Sequence, residues 1–382
     1  MKSNASRIFS ICMISDDFLP EVTGVGVHLQ HMMVQLLKLG HKVCIITTKR
    51  PGQEAEEVWN GVKVYRCSSI RMFGFYQAFA SKAAIKNILT ENQVEIVHFH
   101  YLSFLLIQAF NAAQELAIKT IYTYHMTADH LTQPLLMKPY RPLIAKMIVH
   151  YCNKFGRILA PSRQLVDDIK RSGVNTPAYF INNPVVFESK EISKISRDDV
   201  DFLVFYAGRL NKEKNIPFLI RGFARILNER PRAQLWIAGQ GDMRNMLERE
   251  VNNLDIASSV KFLGHIPHEH LGDYYSIIDV FVLPSLIETQ GMVAMEAMRF
   301  GKPVIVTNSI VSADELVTQG ENGFIVDSES VDDLAQKLGE LAGDSSLREK
   351  MGKEGWERSR QYDPESVTTT LVKHYQALFD RD

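Results

Sequence analysis

The chain has 382 residues, 46% of them hydrophobic, which favours two globular domains with sizeable cores over a single one. Its four cysteines, Cys12, Cys44, Cys67 and Cys152, lie far apart with no CxxC pair, and no apolar run reaches the ~18 residues of a bilayer span. A zinc knuckle, a disulfide framework and a membrane-spanning helix are thereby excluded, and a reducing cytoplasm is expected.

Net charge is −1 but unevenly spread. Residues 1–190 hold 21 Lys/Arg against 13 Asp/Glu, a net of +8, and the remainder holds 22 against 31, a net of −9. The first half is expected to meet something anionic. The opening MKSNASRIFSICMIS is too short and too quickly polar for a secretion signal.

Along the chain, RIFSICMIS (7–15), KVCIITT (42–48), VEIVHFH (94–100), KTIYTYH (119–125) and GRILAPS (156–162) read as buried parallel strands. Between the first two, VGVHLQHMMVQLLKLG has apolar residues at helical spacing and Gly40 as a stop. PEVTGVGVHLQHM (20–32) carries Gly24 and Gly26 in a loop after the first strand, close to Asp16, Asp17 and Glu21. The Gly-x-Gly there lacks the third glycine of a dinucleotide fingerprint.

Two stretches of the first half are basic and apolar together. SSIRMFGFYQAFASKAAIK (68–86) includes Arg71, and residues 130–166 hold six Lys/Arg, among them Lys138, Arg141 and Lys146, with no Asp or Glu. Such surfaces suit anionic lipid headgroups with shallow apolar insertion, and equally a basic face beside a core helix. The histidines of HFHYL and GHIPHEH have no Cys or carboxylate partner at ligand spacing, so no metal site is expected.

Polar, charged residues 187–200 read as a linker. A second alternating series follows: DFLVFYAG (201–208), RAQLWIAG (232–239), SVKFLG (259–264), IIDVFVLPS (277–285), KPVIVTN (302–308) and NGFIVD (322–327). Strand–helix alternation in both halves predicts an α/β protein of two tandem Rossmann-like doubly wound domains, 1–186 and 201–362, with an interdomain cleft. Residues 363–382 form a final helix, expected to pack back on the first domain.

Within SLIETQGMVAMEAMRFG (285–301), Glu288 and Glu296 are separated by seven residues, with Gly291 between them. A helix starting near Gly291 would aim its free N–H groups and positive dipole end at a phosphate, and carboxylates accept hydrogen bonds from sugar hydroxyls. Two solvated helix carboxylates would give the same spacing. AGRLNKEKN (207–215) adds Arg209 and Lys214 as partners for a diphosphate, AGQGD (238–242) a glycine turn at Gly239, and a later loop Glu315.

Taken together, GRLNKEKN, AGQGD, LGHIP, LPSLIETQGMVAMEAMRFGKPVI and DELVTQGENGFIV resemble the family 4 retaining glycosyltransferases of GT-B fold, over essentially the whole chain. The resemblance implies Glu288 on donor-sugar hydroxyls, Glu296 on the nucleotide ribose, and Arg209 and Lys214 on the donor diphosphate. It implies the amides of Met292 and Val293 against sugar and phosphate, and the Gly24–Gly26 loop over the donor phosphate. His125 matches a histidine near the reacting centre, although a lone histidine at a strand end is often structural. The family often has Gly-Gly where this chain has Gly24-Val25-Gly26.

The expected reaction is hexosyl transfer from a nucleotide sugar, UDP by the family's habit, by front-face attack with no cofactor and no essential metal. The ETQGMVAMEA and TQPLL stretches resemble the diacylglycerol glucosyltransferase branch, which implies a lipid-linked acceptor and a peripheral place at the inner membrane face. A soluble acceptor, epimerisation or hydrolysis of the nucleotide sugar, and non-catalytic sugar-nucleotide binding are the alternatives. Nucleic-acid binding is not expected, since the basic surface has no recognised module.

Overall fold

A computed structural model describes residues 7–19, 24–72, 75–100, 102–125, 135–185, 195–197, 199–288 and 290–380. The chain divides into two compact units, Met1–Pro184 with Pro364–Asp382, and Val185–Asp363.

In the first unit the strands are β1 (Ser10–Ile14), β2 (Lys42–Thr48), β3 (Glu56–Trp59), β4 (Val62–Cys67), β5 (Ser69–Met72), β6 (Phe75–Ala78), β7 (Ile96–Phe99), β8 (Lys119–Thr123), β9 (Arg157–Ala160) and β10 (Ala178–Phe180). Eight of them form one sheet in the order β10-β9-β8-β7-β1-β2-β4-β3, parallel except for the antiparallel edge strand β3. β1, SICMI, is buried at all five positions, as a strand covered on both faces must be. Strand order reverses around β1, which pairs with both β2 and β7, so their carboxyl ends open a crevice.

Helices α1 (Gly24–Lys38), α2 (Lys82–Glu91), α3 (Phe104–Glu115), α4 (Arg141–Cys152) and α5 (Arg163–Arg171) connect these strands. Ser81, Ser103 and Ser162 cap α2, α3 and α5 by accepting from the third amide onward. The C-terminal helix, Pro364–Gln376, buries Val367, Leu371, Val372 and Tyr375 with Phe9, Met13 and Leu29 of the first-unit core.

The second unit contains β11 (Phe202–Ala207), β12 (Ala233–Ala238), β13 (Val260–Gly264), β14 (Val280–Leu283), β15 (Val304–Thr307) and β16 (Gly323–Val326), all parallel in the order β13-β12-β11-β14-β15-β16. Between them run α6 (Ile216–Ile226), α7 (Arg244–Asn253), α8 (His268–Ile277), α9 (Met292–Arg299) and α10 (Ala313–Leu316), and α11 (Val331–Gly343) and α12 (Ser345–Ser359) follow β16. Here the order reverses around β11, which pairs with β12 and β14. Ile195 and Val200, from the polar stretch read as a linker, pack against this unit's core. The fold is α/β with two Rossmann-like doubly wound domains.

Three features depart from the sequence reading. Residues 68–80, read only as a basic aromatic surface, contain the antiparallel hairpin β5–β6. β3 and β4 extend the first sheet beyond the predicted series. Gly24 and Gly26 lie in the first turn of α1 and not in a loop, while the preceding residues 20–23, including Glu21, lie outside the described residues.

Candidate functional site

In the second unit the carboxyl ends of β11 and β14 bring two loops together. Gly208 (φ +154°) lets the chain leave β11, and Gly239 (φ +138°) lets it leave β12. A Cβ on Gly239 would stand 1.8 Å from the Gly208 carbonyl oxygen, so the two turns touch backbone to backbone. Gly239 is thus accounted for by close packing of the loop that holds Arg209.

That loop is braced twice. The Tyr206 hydroxyl donates to the Arg209 carbonyl at 2.9 Å, and the Leu286 amide donates to the Glu213 carbonyl at 2.8 Å. Burial, with Glu288 and Glu213 nearby, pushes the Tyr206 phenol far up, so it remains a neutral donor. Lys214 Nζ donates to Glu288 Oε2 at 2.6 Å, and both side chains are mostly shielded from solvent. The Arg209 guanidinium is 72% exposed and 3.9 Å from Glu213, a loose pair that leaves it able to swing to an anion.

Glu288 precedes the helix and is not part of it. It bridges Ile310, and its carbonyl accepts from the Val311 amide at 3.1 Å. Gly291, at φ +69°, is the N-cap of α9, and a Cβ there would meet Leu283 Cδ2 at 2.7 Å. The amides of Met292 and Val293 open the helix ahead of its first intrahelical bond. Glu296 faces inward, 4% exposed, with Oε2 accepting from Tyr275 at 2.9 Å and Oε1 at 3.0 Å from His268 Nε2. Neither glutamate is therefore a solvated helix carboxylate. Glu315 is placed on α10, where its carbonyl accepts from the Arg358 guanidinium.

Tyr275 and His268 were missed in the sequence. The signal was their spacing of seven on α8, two turns apart on one face. Burial opposes charge on His268, but hydrogen bonding and attraction from Glu296 outweigh it and raise its pKa.

In the first unit, Asp16 follows β1 and is buried. It accepts from the Ala78 amide at 3.2 Å, and its Oδ2 has no hydrogen-bond partner among the described residues. Burial lifts its carboxyl to about 6 against a counter-effect from Ser103. Phe79 and Phe104, the neighbours of Ala78 and Ser103, stack at 5.7 Å between ring centroids and are about half exposed. Asp17, next to Asp16 in sequence, is half-buried, its amide donating to the Ser15 hydroxyl.

His125 lies two residues past the end of β8 and is buried, its Nε2 3.0 Å from His100 Nδ1. His28 of α1 packs edge-on against it at 5.0 Å between ring centroids. Burial is the first cause of the lowered pKa of all these imidazoles, with His125 held at about 3. Lys138 lies in a 3-10 turn, Leu135–Tyr140, and Arg141 and Lys146 on α4, all exposed alongside Tyr140, Leu143 and Met147. Arg71 is exposed on the β5–β6 hairpin, its guanidinium 5.9 Å from the Tyr76 ring centre.

Cys12, Cys44 and Cys152 are buried free thiols, and Cys67 is half-buried and free. Among the described residues, no helix is long and apolar enough to cross a membrane.

Comparison with known proteins gives this architecture relatives. Residues 22–188 match the Glycosyltransferase Family 4 model and residues 187–358 the Glycosyl transferases group 1 model. The chain is 28% identical over 317 residues, 77% of it and 70% of the relative, to the alpha-monoglucosyldiacylglycerol synthase of Streptococcus pneumoniae. It is 24% identical to the sulfoquinovosyl transferase SQD2 of Arabidopsis thaliana, across 92% of this chain and 70% of that one.

Among solved structures, sucrose-phosphate synthase from Thermosynechococcus elongatus superposes with a TM-score of 0.79 at 22% identity, covering 97% of this chain and 99% of that one. Anabaena HepE, in complex with UDP, superposes with a TM-score of 0.77 at 16% identity, covering 96% and 100%. With both family models filling consecutive halves of the chain on a GT-B fold, this protein belongs to glycosyltransferase family 4 and is an enzyme that transfers sugars.

Proposed function

We propose that the protein moves a hexose from a UDP-sugar to a hydroxyl of a lipid-linked acceptor at a membrane surface, retaining the anomeric configuration. The observation that carries the donor half is the Lys214–Glu288 pair beside the Gly291 cap, with buried Glu296 one helix turn further in. A diphosphate draws Lys214 and the exposed Arg209 to itself, and the α9 amides donate hydrogen bonds to its remaining oxygens. Glu288, released from Lys214, then meets the sugar hydroxyls. Glu296, locked by Tyr275 and His268, offers a fixed acceptor to the ribose.

In front-face transfer the bond from the anomeric carbon to the diphosphate breaks as the acceptor oxygen approaches from the same side. The acceptor proton passes to the departing phosphate oxygen. Rate enhancement comes from positioning and from stabilising charge on the leaving diphosphate, through Arg209, Lys214 and the start of α9. His125 takes the sugar-facing position in the first unit. No step in this scheme requires a metal.

The acceptor half rests on the first unit. Tyr140, Leu143 and Met147 present apolar side chains beside Lys138, Arg141 and Lys146, a composition suited to an anionic interface. The half-exposed Phe79–Phe104 pair offers an apolar rest for an acyl chain beside Asp16. The names of the pneumococcal and Arabidopsis relatives point the same way, the first to a glycolipid product.

The test is a product-release screen of nucleotide sugars with diacylglycerol-containing anionic vesicles or with soluble acceptors. Lipid-dependent UDP release, and an equatorial anomeric proton (axial glycosidic bond) in the product from an axial donor, support the reading. Turnover only with soluble acceptors overturns the lipid half, and an inverted product overturns retention.

A further inference from the structure

Four buried histidines gather in the first unit, and their hydrogen bonds sort them. His98 is satisfied at both nitrogens, with Nδ1 2.8 Å from the Tyr375 hydroxyl and Nε2 2.6 Å from Thr123 Oγ1. His28 is 2% exposed and, among the described residues, has no hydrogen-bond partner at either nitrogen. His100 is 1% exposed and bonded at Nδ1 by His125, while its Nε2 has no partner among the described residues. Buried polar atoms without partners are rare and call for an occupant. Three imidazoles are thus left over, from α1 and from the carboxyl ends of β7 and β8, and one nitrogen of each lies within 4.8 Å of the others.

We propose that His28, His100 and His125 bind a single divalent transition-metal ion of the zinc class through three imidazole nitrogens. Imidazole donors without carboxylates suit zinc, cobalt, nickel or copper, and exclude magnesium and calcium, which demand oxygen. Nitrogens about 2.0–2.1 Å from a tetrahedral ion stand about 3.4 Å from one another. The 3.0 Å between His100 Nδ1 and His125 Nε2 is already on that scale, and binding exchanges this hydrogen bond for two bonds to the ion, with the shared proton moving to an outer ring nitrogen or to solvent. His28 is the ring that closes, and no hydrogen bond has to break for it to move. His98 supports the set from behind, its ring packed at a tilt against His100 at 4.2 Å between centroids. The fourth coordination position is left to water or to a ligand oxygen.

Sequence spacing concealed this group, because His28, His100 and His125 come from three separate elements and match no ligand motif. One consequence rests on the sugar-facing reading of His125: an ion that engages its lone pair inhibits transfer.

The test uses the full chain stripped with chelator. Zn2+ is titrated by calorimetry, and Co2+ by visible absorption, with Mg2+ as the hard-cation control. His28→Phe keeps a ring of similar volume and removes the nitrogens, and His28→Ala is the second variant should the first not fold. His150→Ala removes an exposed histidine as a surface control. The expected result is one tight equivalent of Zn2+ and intense four-coordinate Co2+ bands. Both are lost with at least about a hundredfold weaker binding in the His28 variants, are retained in His150→Ala, and are unaffected by Mg2+. Equal Zn2+ affinity in wild type and His28→Phe, or only the pale six-coordinate Co2+ spectrum, overturns the site. Tight binding that leaves transfer unimpaired upholds the site and removes His125 from the sugar-facing role.

Discussion

Lys214 Nζ stands 2.6 Å from Glu288 Oε2, although the two residues are 74 positions apart in the chain. The Leu286–Glu213 backbone bond holds their loops at that distance. In the resting protein each charge satisfies the other, so neither is left buried and unpaired. Breaking the pair and using it for chemistry are separable effects. Glu288→Gln and Lys214→Met should each lower kcat/KM about 100-fold or more. The double variant should recover about 1 kcal/mol of stability relative to the sum of the singles, without recovering transfer. A double variant that regains activity along with stability would show the pair to be structural only.

Gly239 is placed by contact, not by flexibility. Gly239→Ala puts a Cβ 1.8 Å from the Gly208 carbonyl, and should destabilise the second unit by about 3 kcal/mol or more. Gly173 has φ +96° with nothing within 4 Å of its Cβ, so Gly173→Ala should cost only about 1 kcal/mol. Chemical denaturation of the two variants side by side measures the difference. Equal losses would mean that backbone strain, and not the loop contact, dominates.

Asp16 makes stability depend on pH. Its pKa is about 6 in the fold against an ordinary 3.8, so the native state holds more protons between those values. Stability is greatest below about 4 and falls as pH rises through 6. Above that window the penalty is complete, about 3 kcal/mol. Asp16→Asn keeps an acceptor for the Ala78 amide and removes the charge. It should stabilise the first unit at pH 8 and leave it little changed at pH 3.5, as read by urea midpoints at the two pH values.

His268 works in the opposite unit with a defined sign. Its folded pKa is raised by Glu296, so its stabilising contribution is complete below the ordinary histidine value and is lost as pH rises through the folded one. His268→Ala should cost about 1 kcal/mol more at pH 6 than at pH 9. If Glu296 holds the ribose, the same variant should also raise the Kd for UDP while leaving kcat nearly intact. A pH-independent loss would remove the ion pair from the account.

The face bearing Tyr140, Leu143 and Met147 should decide vesicle binding. Leu143→Glu with Met147→Glu should reduce sedimentation with anionic vesicles about tenfold. Lys146→Glu should weaken binding mainly at low salt, by about 1 kcal/mol. Activity on a short-chain soluble acceptor should be unchanged in all three. Undiminished vesicle binding would detach this face from the membrane.

Much of the architecture was legible in one dimension. Runs such as SICMI, KVCIITT and FLVFYA are continuous and apolar because parallel strands are covered on both faces, and each is a strand. Gly291 read as the start of a helix, and α9 begins one residue later. The short pieces β3–β6 were not legible, because their alternation spans too few residues to stand out from loop sequence. The family resemblance implied a loop at Gly24 and Gly26, yet the backbone there is already helical.

What the sequence by itself determined is the class of fold and the set of residue types available at the ends of the strands. Apolar period and punctuation by glycine and proline act locally, within a few residues of each other. Tertiary structure alone decided the pairings: Lys214 with Glu288, Glu296 with Tyr275 and His268, and His28 with His100 and His125. Parallel sheets bring residues from distant strands to one edge, and hydrogen-bond distance between side chains depends on that register, which spacing along the chain does not contain.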